Sequence, residues 1–196
     1  MPLWGATDSD ESKPKNLTTA EKKEVYATGG GWVREAGSIW SGNDNADADA
    51  EVLVAISNLS TSLGAADVTE VEWITTTADK SDGFTLSVRV RYNEPVDVTG
   101  SPTLAVTNGN QGSGSGRGPH TLVYASGTGS NELTFSLAIA GGNAATNAND
   151  QLTIGAQDIA KPGGATIKDA TGTASDAAVA ISAGQGTAAG TVTVTA

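Results

Sequence analysis

Residues 84–92 read FTLSVRVRY. Phe84, Leu86, Val88, Val90 and Tyr92 alternate with Thr85, Ser87, Arg89 and Arg91, so an extended chain here has one apolar and one polar face. That period specifies a strand with a core on one side. The alternation returns at Leu133, Phe135, Leu137 and Ile139, and in shorter form at Val71–Trp73, Leu104–Val106, Leu122–Tyr124, Leu152–Ile154 and Val192–Val194. Turn-forming clusters separate these runs: Asp82-Gly83, Thr99 to Pro102, Ser126 to Gly129, Asn147 to Asp150 and Pro162 to Gly164. Short alternating strands with a turn roughly every dozen residues predict an all-β chain, with an antiparallel sandwich over 69–196.

Residues 1–68 are less regular, and hold 16 of the 33 charged residues and three of the four tryptophans. Thr18 to Glu21 fits a capping box and predicts a short helix over Thr18–Ala27, ended by Gly29 to Gly31. Trp32-Val33 and Ile39-Trp40 read as short strands. Glu51 to Ile56 is open to two readings. Val52, Ile56, Leu59 and Leu63 have helical spacing, but the β-branched run favours a buried strand. The division falls near residue 68, giving a partly extended N-terminal region followed by the sandwich.

Composition narrows the function. Of 196 residues, 25 are Gly and only nine are aromatic (4 Trp, 3 Tyr, 2 Phe), so Val, Leu and Ile must build the core. The net charge of −11 argues against nucleic acid, which requires clustered Lys and Arg, and against an anionic membrane surface. Without cysteine there are no disulfides and no thiol chemistry. The opening MPLWGATDSDESKPK lacks a signal-peptide layout, and no apolar run reaches the roughly 20 residues of a membrane helix. Synthesis in a cytoplasm is therefore expected.

No catalytic constellation emerges. The one histidine, His120, opens a strand beside a glycine-rich segment; no nucleophile elbow accompanies it, and an exposed strand-edge role is expected. The acids fall on polar strand faces and in turns, without a pair marked for glycoside hydrolysis. GNQGSGSGRG, residues 109–118, lacks the ending of a phosphate-binding loop, and reads either as a hairpin tip or as a recognition loop carrying Arg117. Asn43, Asn45, Asp47, Asp49 and Glu51 offer oxygens at alternate positions, as a cation would need, but without the glycine and final glutamate of an EF-hand loop. Asn147 to Asp150 is a weaker case of the same kind. The chain is read as non-enzymatic, with no cofactor and no metal. Three tryptophans in a thin N-terminal region either fill a local core or dock on a partner. The docking reading selects Trp4, Lys13, Lys15, Trp32, Arg34 and Trp40.

Two stretches resemble known families. Residues 86–104, LSVRVRYNEPVDVTGSPTL, followed by Val123 to Gly129, Asn131 to Phe135 and GATIKDATG at 164–172, resemble bacterial Ig-like domains of cell-surface and adhesin repeats. That likeness spans about 69–180 and implies an immunoglobulin-like sandwich with no catalytic residues. In this reading Pro95 and Pro102 stop ladder pairing, and Gly100 permits the turn between strands. MPLWG, Ser12 to Lys15, Tyr26 to Thr28, Gly31 to Val33 and Glu51 to Ile56 are similar to virion structural proteins of marine tailed phages. The combination implies a head decoration, or cement, protein. Its N-terminal region would bind the major capsid protein, with contacts between neighbouring copies as a homo-oligomer or in many copies per particle. The Ig-like domain would project outward on the virion capsid surface, with assembly in the host cytoplasm. A neck, tail or baseplate position, or a surface carbohydrate-binding or adhesion module, are the alternatives.

Overall fold

The computed structural model describes residues 13–109, 119–171 and 174–196. Trp4 and residues 110–118 of the glycine-rich segment lie outside them. The chain is mostly β, and it encloses two separate hydrophobic cores.

The first core belongs to the N-terminal region. Strands β1 (Val25–Thr28), β2 (Gly31–Arg34) and β3 (Glu51–Ala55) form an antiparallel sheet in that order. A short helix, α1 (Leu59–Leu63), follows. Val25, Ala27, Trp32, Ile56 and Leu59 are buried together, with Leu17, Leu53, Val54 and Leu63 packed around them. Gly31 carries φ +132°, and a Cβ there would sit 2.0 Å from the Val54 carbonyl oxygen, so close pairing of β2 with β3 requires a glycine.

The predicted helix over Thr18–Ala27 is corrected. Thr18 and Glu21 do form the reciprocal capping bonds, at 2.8 and 3.2 Å. Only a 3-10 turn follows, Glu21–Glu24, before Val25 enters β1. The alternation of buried Val25 and Ala27 against β2 outweighs the local start signal. Ile39-Trp40 is a turn rather than a strand. Glu51 to Ala55 is a strand, yet an exposed edge one; Val52 is 63% exposed.

The second region holds β4 (Val68–Trp73), β5 (Ala78–Asp79), β6 (Gly83–Thr99), β7 (Thr103–Gly109), β8 (His120–Ser126), β9 (Ser130–Ala140), β10 (Gln151–Thr153), β11 (Gln157–Asp158), β12 (Thr166–Asp169), β13 (Ala180–Ile181), α2 (Ala183–Ala189) and β14 (Thr191–Thr195). Nine of these strands make one sheet in the order β12-β6-β9-β8-β7-β10-β14-β5, with β4 also on β6. Leu86, Val88 and Val90 of β6 share a core with Leu152 of β10 and Val192 and Val194 of β14, so the sheet is curled upon itself. Leu86 opposes Leu137, Val88 opposes Phe135 and Val90 opposes Leu133. All pairings are antiparallel except β5 with β14, which is parallel and departs from the expected uniform order.

Pro95 interrupts ladder pairing on both edges of β6, as expected, without ending the strand. β6 runs 17 residues through it, with a register shift toward β9 between Arg91 and Val96. The other edge of β6 changes partner there too, from β4 along Val88–Tyr92 to β12 along Val96–Thr99. A residue without an N–H fits where one ladder yields to another. Pro102 and Gly100 (φ +76°) do occupy the turn into β7.

Candidate functional site

The polar face of β6 is where the two regions meet. Arg91 belongs to the solvent side of the alternation, yet it is 5% exposed because the N-terminal sheet covers it. Its guanidinium lies 2.7 Å from Glu35, 2.7 Å from Glu132 and 3.2 Å from Glu72, and also donates to the Lys23 carbonyl at 3.1 Å. Asn131 Nδ2 donates to the same Glu35 oxygen at 2.8 Å, and Lys23 pairs with Glu70. Burial, followed by the Glu35 charge, pushes the Glu132 carboxyl up to about 7, against the opposing pull of Arg91 and Arg89. Buried Arg91, joined by Arg89 at 3.2 Å from Glu72 and 3.4 Å from Glu132, therefore holds together a cluster of carboxylates.

The residues selected for docking separate into two groups. Trp32 is 3% exposed and lies in the N-terminal core. Arg34 is 7% exposed; its Nη1 donates to the Trp40 carbonyl at 2.9 Å and to Glu51 at 3.2 Å. Both serve the region's own structure. Lys13 is half-buried, donating to the Lys22 carbonyl at 2.8 Å, and burial lowers its ammonium to about 8. It borders a cleft with Lys22, Lys23 and Glu70 where the N-terminal region approaches α2. Lys15 and Trp40 are exposed. The structure adds Ile39, 80% exposed, and Val52 to the exposed set, neither of which the sequence singled out for binding. Arg34 connects them: it sits between the backbone of the 39–40 turn and the start of β3. No known protein family, curated protein or solved structure matches this chain.

Other candidates resolve as follows. Asn43 and Asn45 side-chain oxygens accept from the backbone N–H groups of Asn45 and Asp47, so the alternate oxygens cap their own turns. Among the described residues no three acidic, imidazole or thiol groups gather as a metal site. Asp150 folds back onto the Asn147 N–H at 2.8 Å. His120 is a correction: it is 6% exposed, with Nε2 3.2 Å from Thr146 Oγ1 and 3.5 Å from Asn108 Nδ2. Burial lowers its pKa, which favours a neutral ring inside the fold.

Glu94 was missed, although the signal was present. It continues the inward register of Leu86, Val88, Val90 and Tyr92, and is fully buried at 0% exposure. Oε1 has no hydrogen-bond partner among the described residues. A carboxylate at an apolar position of an alternating strand is the pattern that marks it.

Proposed function

We propose that this chain is a non-enzymatic virion structural protein, a capsid decoration protein whose N-terminal region binds the major capsid protein while an immunoglobulin-like sandwich over 69–196 projects outward. The observation that carries the reading is the position of the exposed apolar side chains. Three of the five exposed large apolar side chains among the described residues, Ile39, Trp40 and Val52, belong to the N-terminal region, on the turn and edge strand that Arg34 links; Ile74 and Val123 are the other two. Exposed apolar side chains that include a tryptophan are a feature of protein interfaces. Among the described residues the outer edge of β3 pairs with no strand, and its backbone groups could pair with another chain. The resemblance of residues 1–66 to phage virion proteins and of 69–180 to bacterial Ig-like domains supplies the class of partner. The net charge of −11 suits a surface packed at high local density.

The curled sheet supports the sandwich through its shared core, while the parallel β5–β14 pair is a departure from a purely antiparallel arrangement. The test is sedimentation of the purified chain with empty phage heads, comparing wild type with Ile39→Asp/Trp40→Ser. Co-sedimentation lost in the variant, with its circular dichroism unchanged, is the expected result. Absence of binding by wild type, with binding to tails instead, would move the protein to the neck, tail or baseplate.

A further inference from the structure

Glu94 on β6 and Asp169 at the end of β12 approach one hydroxyl. Thr171 Oγ1 lies 2.7 Å from Asp169 Oδ1 and 3.2 Å from Glu94 Oε2. A threonine hydroxyl has one proton, and the shorter contact takes it. The Thr171 backbone N–H also donates to Asp169 Oδ1, at 2.6 Å. Glu94 is left fully buried, with one oxygen unpartnered and the other holding a divided contact. Among the described residues no Lys or Arg is paired with either carboxylate.

A buried carboxylate requires a compensating charge or donor. The backbone offers no relaxation, because Ala170 N–H donates to the Pro95 carbonyl at 3.0 Å and fixes the two strands beside the pair. Asp169 and Thr171 also line a cleft of about 330 Å³ with Ser60, Thr61 and Ser175, whose hydroxyls add further oxygen atoms on the Asp169 side of the pair. We infer that Glu94 and Asp169, with Thr171, bind one hard divalent cation of the calcium class. Such ions take six to eight oxygen ligands, including hydroxyls, carbonyls and water. With two carboxylates in the set the affinity falls in the weak class, a Kd on the order of 10⁻⁴ to 10⁻³ M.

The test is calcium titration of the chelator-treated full chain at pH 8, by calorimetry and by thermal unfolding. Saturable binding of one ion and a rise in Tm of roughly 5–10 °C at about 100 times Kd are expected. Glu94→Gln removes the uncompensated charge, so it folds, is at least as stable as wild type in chelator, and loses the calcium response. Should that variant fail to fold, Thr171→Val serves as the second, with at least a tenfold loss of affinity. No heat from wild type overturns the site and leaves a proton on Glu94 as the compensating charge. Binding undiminished in Glu94→Gln or Thr171→Val also overturns it, and places the ion elsewhere.

Discussion

At the scale of single residues, burial separates side chains of the same type. Trp32 fills the N-terminal core and Trp40 stands partly in solvent. Trp32→Ala should cost about 3–5 kcal/mol in urea unfolding, whereas Trp40→Ser should leave the midpoint within about 0.5 kcal/mol of wild type. Tyr92 offers a test of the opposite sign. Its ring is 1% exposed and its hydroxyl has no hydrogen-bond partner among the described residues. Burial also raises its pKa, as expected for a phenol without a donor. Tyr92→Phe should be neutral or stabilising by about 1 kcal/mol in the same measurement.

Among elements, the alternating strands were legible and the irregular ones were not. β6, β9, β7, β8, β10, β4 and β14 all carry the apolar-polar period that the sequence displays, because each has one face on the core. The two-residue strands β5, β11 and β13 are too short to show a period. α2 was hidden by its composition, AGQGTAA, in which two glycines disfavour a helix. It is held by a capping box between Ser182 and Gln185, and Gln185 reaches the Val68 carbonyl at 2.8 Å. Tertiary bonds of this kind leave no mark on local sequence. Of the proposed interface, Trp40 was legible as a large ring in a thin region, while Ile39 and Val52 depended on knowing which edge of the small sheet stays open. At this scale the sharpest prediction concerns Gly31. Gly31→Ala drives a Cβ into the Val54 carbonyl and should unfold the N-terminal sheet, read as loss of amide protection in β1 to β3 by hydrogen exchange while β6 and β9 stay protected.

For the molecule as a whole, the attachment of the N-terminal region rests heavily on Arg91. Arg91→Ala leaves Glu35 without a cation and Glu72 and Glu132 with half-buried Arg89 alone, and should cost about 3–5 kcal/mol with early proteolysis between residues 35 and 68. The cluster also sets a pH response. Glu132 is raised from its ordinary 4.5 to about 7, so the folded state binds the proton more tightly than the unfolded chain. Its stabilising contribution is therefore complete below pH 4.5 and is lost as pH rises through 7. Stability should fall by about 1–3 kcal/mol between pH 5 and 8, and Glu132→Gln should flatten that slope in denaturant unfolding at each pH.

The parallel pairing of β5 with β14 has a consequence in time. Thr195 Oγ1 donates to the Ala78 carbonyl, Trp73 Nε1 to Gly190, and Gln185 to Val68, each contact joining residues 117 positions apart. The loop-closure entropy of those contacts must be met before their burial returns any free energy. The second core thus assembles late and slowly, on the millisecond-to-second scale of non-local β topologies rather than the microseconds of helical bundles. Until β14 docks, the edges of β10 and β5 stand open, and that interval is when crowded nascent copies are most prone to pair with one another.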